Sequence, residues 1–189
     1  MTDETLDGLL AECLVLLAEG ASDPGSVWHS PALATVAADG SPQLRTVILR
    51  SFDPETLSVE THTDIRSAKY AELLARPTAA LHGWDRERRV QMRLSGRVTL
   101  HTDDMQADAA WAGLRPASRA TYRVQPGPGT KLDLPSKITD GSEASGRTVF
   151  CVIRLAVHTL EYLRLGQDSH LRARFVWADG ARTGMWLVP

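Results

Sequence analysis

Residues 32–63 read ALATVAADGSPQLRTVILRSFDPETLSVETHT, and this stretch decides the fold. Short runs rich in apolar and β-branched residues are separated by ADGS and DPET, which contain the residue types of tight turns. Turn residues between two such runs are a hairpin signal. The stretch therefore predicts three antiparallel strands, over residues 32–37, 43–52 and 57–61.

The rest of the chain adds more strands and a few short helices. Helices are predicted over residues 5–19, from about residue 66 to just before Pro77, and over residues 103–114 with Thr102 or Asp103 as cap. Further strands are predicted over residues 78–84, 88–102 and 148–166, followed by a final hairpin that turns at the second ADG. Residues 125–147 are rich in Gly, Pro, Ser and Asp without periodicity, which predicts a long loop. We expect a mainly β (α+β) fold, an antiparallel barrel of six or seven strands with three short helices outside it.

Composition limits the possible classes. With 189 residues, of which 43% are hydrophobic and 23% charged, the chain has the size and apolar content of one globular domain, over residues 1–189. A net charge of −2 argues against a general nucleic-acid binder. Cys13 and Cys151 lie in apolar runs without metal-ligand spacing, and no apolar run approaches a membrane span. We therefore expect a cytoplasmic protein without nucleic-acid or membrane partners.

The segment HTDIRSAKYAELLARP, residues 62–77, raises an electrostatic question. It places Arg66, Ser67 and Lys69 in the first turn of a predicted helix, where unpaired N–H groups and the helix dipole already make the environment positive. The neighbouring strand RTVILR adds two arginines, because alternation puts Arg45 on one face and Arg50 on the other. Amides, a hydroxyl and guanidinium groups together suit a phosphate.

Ordinary structural roles could also account for these residues without a bound phosphate. A basic residue on a helix or an edge strand is more often solvated than bound to a ligand, and RSAK alone has little specificity. Trp111 fits the buried stripe of a helix, together with Met105 and Leu114. The histidines are scattered without carboxylate or cysteine partners at ligand spacing, so we assign no metal. The chain also has no nucleophile elbow, P-loop or GxGxxG motif.

Five segments, read in order, resemble a known family. They are LRTVILRSFD, HTDIRSAKYAELLARPTAAL, RRVQMRLSGRVTL, WAGLRPAS and LEYLRLGQDSHLRARFVW. Together they resemble the pyridoxamine 5'-phosphate oxidase family of FMN-binding split barrels, and they are closer to its less characterised FMN-binding branch than to the oxidase itself. The resemblance implies a split β-barrel and a homodimer with FMN at the subunit interface.

The resemblance also implies which residues bind FMN. They are Arg45, Val47, Ile48, His62, Thr63, Arg66, Ser67, Lys69, Gln91 and Arg174. Arg45 and Lys69 would hold the phosphate, with Ser67 and Arg66 assisting. Val47 and Ile48 would meet the flavin ring through their backbone, and His62 and Thr63 would make contacts at the end of their strand. Gln91 would lie near the ring, and Arg174 would come from the partner subunit.

The substrate residues implied by the resemblance depart from the family pattern. They are Arg50, Arg115, His170 and Arg172. Arg50 stands in place of a lysine, Trp111 in place of a tyrosine, and the terminal Arg and His are transposed. Arginine and lysine are not interchangeable where geometry is fixed. These departures argue against oxidation of pyridoxamine phosphate itself.

The expected function follows from this resemblance. The resemblance implies an FMN-dependent oxidoreductase that transfers a hydride between FMN and an unidentified small substrate, with the flavin supplying the chemistry. No residue is nominated as a catalytic acid or base. The alternative is a non-catalytic binding protein for flavin, a deazaflavin or a haem-related molecule, since a fold does not fix a function. A dimeric interaction protein with an empty groove is a third possibility.

Overall fold

A computed structural model describes residues 4–167 and 169–189. Strands account for 42% of residues and helices for 30%, which confirms the mainly β fold. The helices are α1 (Leu6–Ser22), α2 (Ala68–Ala75), α3 (Met105–Gly113), α4 (Pro116–Arg123) and α5 (Glu143–Val149), with 3₁₀ turns at Val27–His29 and Pro135–Lys137. Across the described residues, no helix combines the length and apolarity that a membrane crossing requires.

The described strands form one large sheet and one small one. Those of the large sheet are β1 (Ala32–Val36), β2 (Pro42–Thr46), β3 (Leu49–Asp53), β4 (Ser58–Asp64), β5 (Thr78–Asp85), β6 (Val90–His101), β9 (Phe150–Leu165), β10 (His170–Ala178) and β11 (Ala181–Leu187). Strands β7 (Val124–Gln125) and β8 (Thr139–Asp140) form the small sheet. The large sheet runs in the order β11-β10-β9-β6-β5-β1-β2, and β4 joins β9 to β3. All of the pairings are antiparallel.

The sheet has nine strands where six or seven were expected, partly because the predicted strand over residues 43–52 is two strands. The break falls at Val47, whose N–H donates to the carbonyl of Pro31 at 3.0 Å in the register of the β1–β2 pair. A register shift between Leu49 and Ser51 follows. The alternation of burial survives the break, since Val47 and Leu49 are buried and Arg50 is exposed.

The region after β6 contains more helix than was predicted. Helix α4 was missed, although Pro116 at its first position is a recognised start signal. Helix α5 and the small β7–β8 sheet occupy part of the predicted loop over residues 125–147. The cap of α3 is Asp104, whose Oδ1 accepts from the N–H of Ala107 at 2.9 Å, and not Thr102 or Asp103.

The main core lies between the sheet and α1. Leu9, Cys13, Leu16 and Leu17 of α1 are buried in it, which confirms the predicted amphipathic helix. Helix α1 packs against β3 and β11. Both cysteines are buried and unpaired. The helix and the sheet are therefore held together by apolar contact, which is the main favourable term in folding.

Trp28 fills the space between α1 and β5, and two glycines make room for it. Its side chain is 1% exposed. A Cβ at Gly20 would lie 2.7 Å from the Cβ of Trp28, and a Cβ at Gly83 would overlap the indole ring. Close packing of this kind leaves no room for an added methyl group.

We expect Gly83→Ala to lower the free energy of unfolding by about 1–3 kcal/mol, because the added methyl group overpacks the Trp28 contact. Gly113→Ala is the matched control, since no heavy atom lies within 4 Å of its Cβ position. The control should change stability by less than about 1 kcal/mol. Denaturant unfolding measures both, and equal effects would contradict the packing argument.

Candidate functional site

The predicted site residues fall in three places within the chain. The helix-start cluster contains Arg45, Thr63, Arg66, Ser67 and Lys69. The arginine cavity contains Arg50, His62 and Arg115. The third place, the sheet-face row, contains Gln91, Arg172 and Arg174. Val47 and Ile48 lie at the junction of β2 and β3.

The helix-start cluster forms where β4 ends at Asp64 and α2 begins at Ala68. Ser67 is the residue before the helix, and its hydroxyl donates to the carbonyl of Asp64 at 2.6 Å. It also lies 3.0 Å from the hydroxyl of Thr63. The prediction that Arg66 and Ser67 belong to the first turn is therefore wrong by two residues, and only Lys69 lies within the helix.

Arg66 has a partner within the chain, which answers part of the electrostatic question. Its Nε and Nη2 donate to the carboxylate of Asp64 at 2.9 and 2.6 Å, and Nη2 also donates to the carbonyl of Tyr122 at 3.2 Å. Its Nη1 is buried and has no hydrogen-bond partner in the described ranges. Buried donors are normally satisfied, so this atom is an exception among the described residues.

Gly127 lies against Arg66 and brings the segment after β7 over the cluster. A Cβ at Gly127 would approach the Cβ and Cδ of Arg66 to 2.8 and 2.9 Å. The glycine is required here by proximity, since any larger residue would displace the guanidinium-bearing side chain. The Gly/Pro-rich segment is thus part of the wall of the cluster.

Lys69 and Arg45 are the other cations of the cluster. The Nζ of Lys69 donates to the hydroxyl of Thr63 at 3.2 Å. Burial lowers the pKa of Lys69, and the nearby charge of Arg45 lowers it further, which shows that the two cations are close. Arg45 is held by Glu72, with 2.8 Å between Nη2 and Oε2. Three cations and two hydroxyls therefore converge, and this donor set fits a phosphate group.

The arginine cavity has a volume of about 660 Å³ and lies between β3, β4, α3 and α4. Arg50, His62, Arg115 and Ser118 line it together. Within residues 4–167 and 169–189, neither Arg50 nor Arg115 forms an ion pair or a side-chain hydrogen bond. Glu60 also lines the cavity, but its carboxylate accepts from Arg154 at 2.9 Å. The cavity therefore has two uncompensated positive charges.

His62 faces this cavity as a neutral imidazole. Burial lowers its pKa from 6.5 to about 4, and the positive charge of Arg50 adds to the shift. The ring packs edge-on against Phe150, with 4.9 Å between ring centres. Its Nδ1 is buried without a hydrogen-bond partner among the described residues. The ring can offer one donor and one acceptor but no charge at neutral pH.

Trp111 belongs to the core beside the cavity. It is 9% exposed and packs on Phe150, with 5.3 Å between ring centres, while Arg119 lies over its other side at 5.6 Å. This confirms its assignment to the buried stripe of α3. Met105 was assigned to the same stripe and is 88% exposed, so that part was wrong because the helix begins there.

The sheet-face row follows from strand register. Arg93 of β6 and Arg174 of β10 both lie directly opposite Glu161 of β9, so their side chains share one face. The carboxylate of Glu161 accepts from Arg93 at 3.0 Å, from Arg172 at 2.9 Å and from Arg174 at 2.6 Å. Burial by itself raises the pKa of Glu161, but the hydrogen bonds from Arg172 and Arg174 hold it below its usual value.

Gln91 of this row and His170 are the remaining predicted residues. The Oε1 of Gln91 is 3.2 Å from the Nε2 of His82. His170 is exposed at the start of β10, two positions before Arg172 and so on the same face. Within one chain, none of the residues of the row lines the arginine cavity. Their roles as cofactor or substrate contacts stay predictions.

Sequence reasoning missed the carboxylates that organise these clusters. Asp64 was readable as a local partner, since it lies only two residues before Arg66. Glu72 lies three residues after Lys69 and so on the same helix face, but its bond to Arg45 spans 27 residues. Glu161 had no local signal, because only the register of three strands brings the arginines to it.

The depressed pKa of His62 makes stability depend on pH. The unfolded chain binds a proton near pH 6.5, whereas folded His62 binds one only near pH 4, so stability falls as pH decreases through this window. Between pH 7 and pH 5 we expect the free energy of unfolding of the wild type to fall by about 1–2 kcal/mol more than that of His62→Gln. His158→Gln, at an exposed position of β9, should behave like wild type. Equal losses in wild type and His62→Gln would contradict the assignment.

The comparisons with known proteins agree with this geometry. Residues 16–102 match the family model for pyridoxamine 5'-phosphate oxidase, FMN-binding domain. A pyridoxine/pyridoxamine 5'-phosphate oxidase 2 from Arabidopsis thaliana is 28% identical over 149 residues, which cover 74% of this chain and 75% of that one. A pyridoxine/pyridoxamine 5'-phosphate oxidase from Nitrobacter winogradskyi is 42% identical over 96 residues, 51% of this chain and 44% of the relative's length.

A solved structure extends the likeness over the whole chain. It is a pyridoxamine 5'-phosphate oxidase-related, FMN-binding protein from Nostoc punctiforme, with a TM-score of 0.78, 24% identity and complete coverage of both chains. This match confirms the split-barrel fold. The family-model match contains Arg45, Lys69 and Gln91 but ends before Arg115. Residues 16–102 are therefore similar to the FMN-binding domain of the pyridoxamine 5'-phosphate oxidase family, and the similarity to relatives of known name extends beyond this segment.

Proposed function

We propose that the protein is a homodimeric FMN-dependent oxidoreductase that acts on a small substrate with an anionic group. The observation that carries this proposal is the arginine cavity, in which Arg50 and Arg115 face the same space without a carboxylate partner among the described residues. Two guanidinium groups without a carboxylate partner at one cavity can bind an anion, because a phosphate or carboxylate accepts hydrogen bonds from both.

The helix-start cluster supports binding of the FMN phosphate. Lys69 and the free donors of Arg45 supply positive charge, Arg66 lies beside them, and Ser67 and Thr63 supply hydroxyls. The N–H of Val47 already donates to Pro31, so a backbone contact from this junction would come from Ile48. FMN, when bound, supplies the capacity to accept and release a hydride. The protein supplies position and electrostatics.

Strand β4 connects the two sites through its alternating side chains. His62 points into the arginine cavity, whereas Thr63, the next residue, contacts Lys69 and Ser67 of the cluster. Arg45 and Arg50 flank the β2–β3 junction in the same way, one in the cluster and the other in the cavity. This arrangement supports a cofactor and a substrate held by opposite sides of the same strands.

The substrate that we propose differs from the one in the relatives' names. Trp111 is packed in the core, and Arg172 is bound to Glu161 instead of facing the cavity. We therefore propose an anionic small molecule other than pyridoxamine phosphate.

The open face of the large sheet supports the homodimer. Leu44, Trp84 and Met185 are 70%, 41% and 39% exposed, and strand register places them on the face that holds the sheet-face row. Exposed apolar side chains beside charged and polar ones have the mixed composition of a protein–protein interface. In a homodimer it would bring Arg172 and Arg174 toward the partner's site, which is the role expected for Arg174.

A flavin-binding protein without turnover is the second candidate. It is favoured by how the titratable groups of the cavity are engaged, since His62 is neutral, Glu60 is paired with Arg154, and the Nδ1 of His29 lies 2.7 Å from the carbonyl of Gly20. The two candidates differ in whether the colour of the FMN-loaded protein bleaches with an organic electron donor and returns on re-oxidation. Colour that resists every donor would favour the binding protein.

Arg45→Ala or Lys69→Ala should weaken FMN binding by about 1.5–3 kcal/mol, the range for a hydrogen bond to a charged group. Riboflavin lacks the phosphate, so its affinity should change little in either variant. Arg86→Ala, at an exposed position of the β5–β6 turn, is the control. Fluorescence titration measures all affinities, and unchanged FMN binding in both variants would refute the phosphate site.

Arg50→Ala and Arg115→Ala should each weaken substrate binding about 10–100-fold, because each removes a charge-assisted hydrogen bond. The rate of flavin reduction at saturating substrate should change much less. Anaerobic stopped-flow experiments with a panel of phosphorylated and carboxylated amines and alcohols measure both quantities. Equal substrate affinity in wild type and both variants would contradict the assignment of the cavity.

A further inference from the structure

Glu72 is a carboxylate placed among cations that are expected to bind a phosphate. Its Oε2 accepts from Nη2 of Arg45 at 2.8 Å and also from the hydroxyl of Thr35. The Glu72 side chain is only 9% exposed and that of Arg45 is 22% exposed. The pair is therefore built into the fold and is not a surface contact of negligible energy.

Glu72 determines the charge of the helix-start cluster. The carboxylate of Asp64 is engaged by the Arg66 side chain through three hydrogen bonds, at 2.9, 3.2 and 2.6 Å. Among the described residues, Glu72 is then the only carboxylate that faces both Arg45 and Lys69. It lies on the same face of α2 as Lys69. With three cations and two carboxylates, the cluster has one net positive charge, and it would have two without Glu72.

The contact fixes Arg45 without using all of its donors. A guanidinium has five N–H groups. One on Nη2 goes to Glu72, and Nη1 donates to Thr35 and, at 3.5 Å, to the carbonyl of Leu33. The Nε–H and one Nη2–H have no partner among the described residues. Arg45 can therefore bind an anion while Glu72 still holds it.

We propose that Glu72 limits the affinity of this site for a phosphate monoester, so that it orients Arg45 but keeps the cofactor exchangeable. The inference rests on the proposed function, because it assumes that the FMN phosphate binds here. A phosphate monoester has a charge of about −1.5 to −2 near neutral pH. A mostly buried carboxylate that shares an arginine with it opposes binding by repulsion, and solvent screens this repulsion only in part.

The test is the substitution Glu72→Gln, which keeps the shape and an acceptor for Arg45 but removes the charge. We expect the dissociation constant of the apoprotein for FMN to fall about threefold to tenfold, as expected for one repulsive charge at a partly screened distance. Riboflavin affinity should stay within about twofold. Glu55→Gln, at an exposed turn position, removes the same charge elsewhere and should leave both affinities unchanged.

A second variant keeps the proposal testable if Glu72→Gln folds poorly. Glu72→Asp retains the charge but shortens the side chain, and it should not tighten FMN binding. Unchanged or weaker FMN binding in Glu72→Gln would overturn the proposal, as would an equal gain for riboflavin or a gain in Glu72→Asp. Wild-type protein that binds neither flavin would instead show that the proposed function itself is wrong.

Discussion

The pairing of β9 with three other strands is the constraint on which the rest of the structure depends. Its first half pairs with β4 and its second half with β10, while β6 runs alongside both. The first half places Phe150 beneath His62, and the second places Glu161 between Arg93 and Arg174. A slip of one residue would turn every side chain of β9 to the opposite face. One register thus positions both the aromatic wall behind the cavity and the sheet-face row.

Because side chains alternate along β4, this one strand contributes to both the arginine cavity and the helix-start cluster. His62 faces the arginine cavity and Thr63 the helix-start cluster, so a change in the twist or position of β4 moves both together. The break at Val47 has a related effect, because it lets β2 carry Arg45 to the cluster and β3 carry Arg50 to the cavity. Such placement on strands holds side chains more precisely than a loop would.

Local patterns predicted the elements but not the contacts between them. The leucine spacing of α1 and the turn before β11 were readable, because burial and turn chemistry act over a few residues. Helices α4 and α5 were missed because each is no longer than eight residues and rich in polar residues. The pairs Arg45–Glu72 and Arg174–Glu161 depend on tertiary packing and register, which periodicity does not encode.

The three groups of cations differ in how many carboxylates of the chain pair with them. This difference distinguishes cations that hold the fold together from cations that can bind a ligand. In the sheet-face row a single buried carboxylate, Glu161, holds three arginines. In the helix-start cluster, Asp64 and Glu72 offset two of three cations. In the arginine cavity, no carboxylate of the described residues offsets Arg50 or Arg115. Arg50 and Arg115 are both exposed, so solvent surrounds their charges until an anion takes its place. An anion in the arginine cavity would therefore meet two guanidiniums that no carboxylate of the described residues engages, whereas an anion in the helix-start cluster would share Arg45 with Glu72.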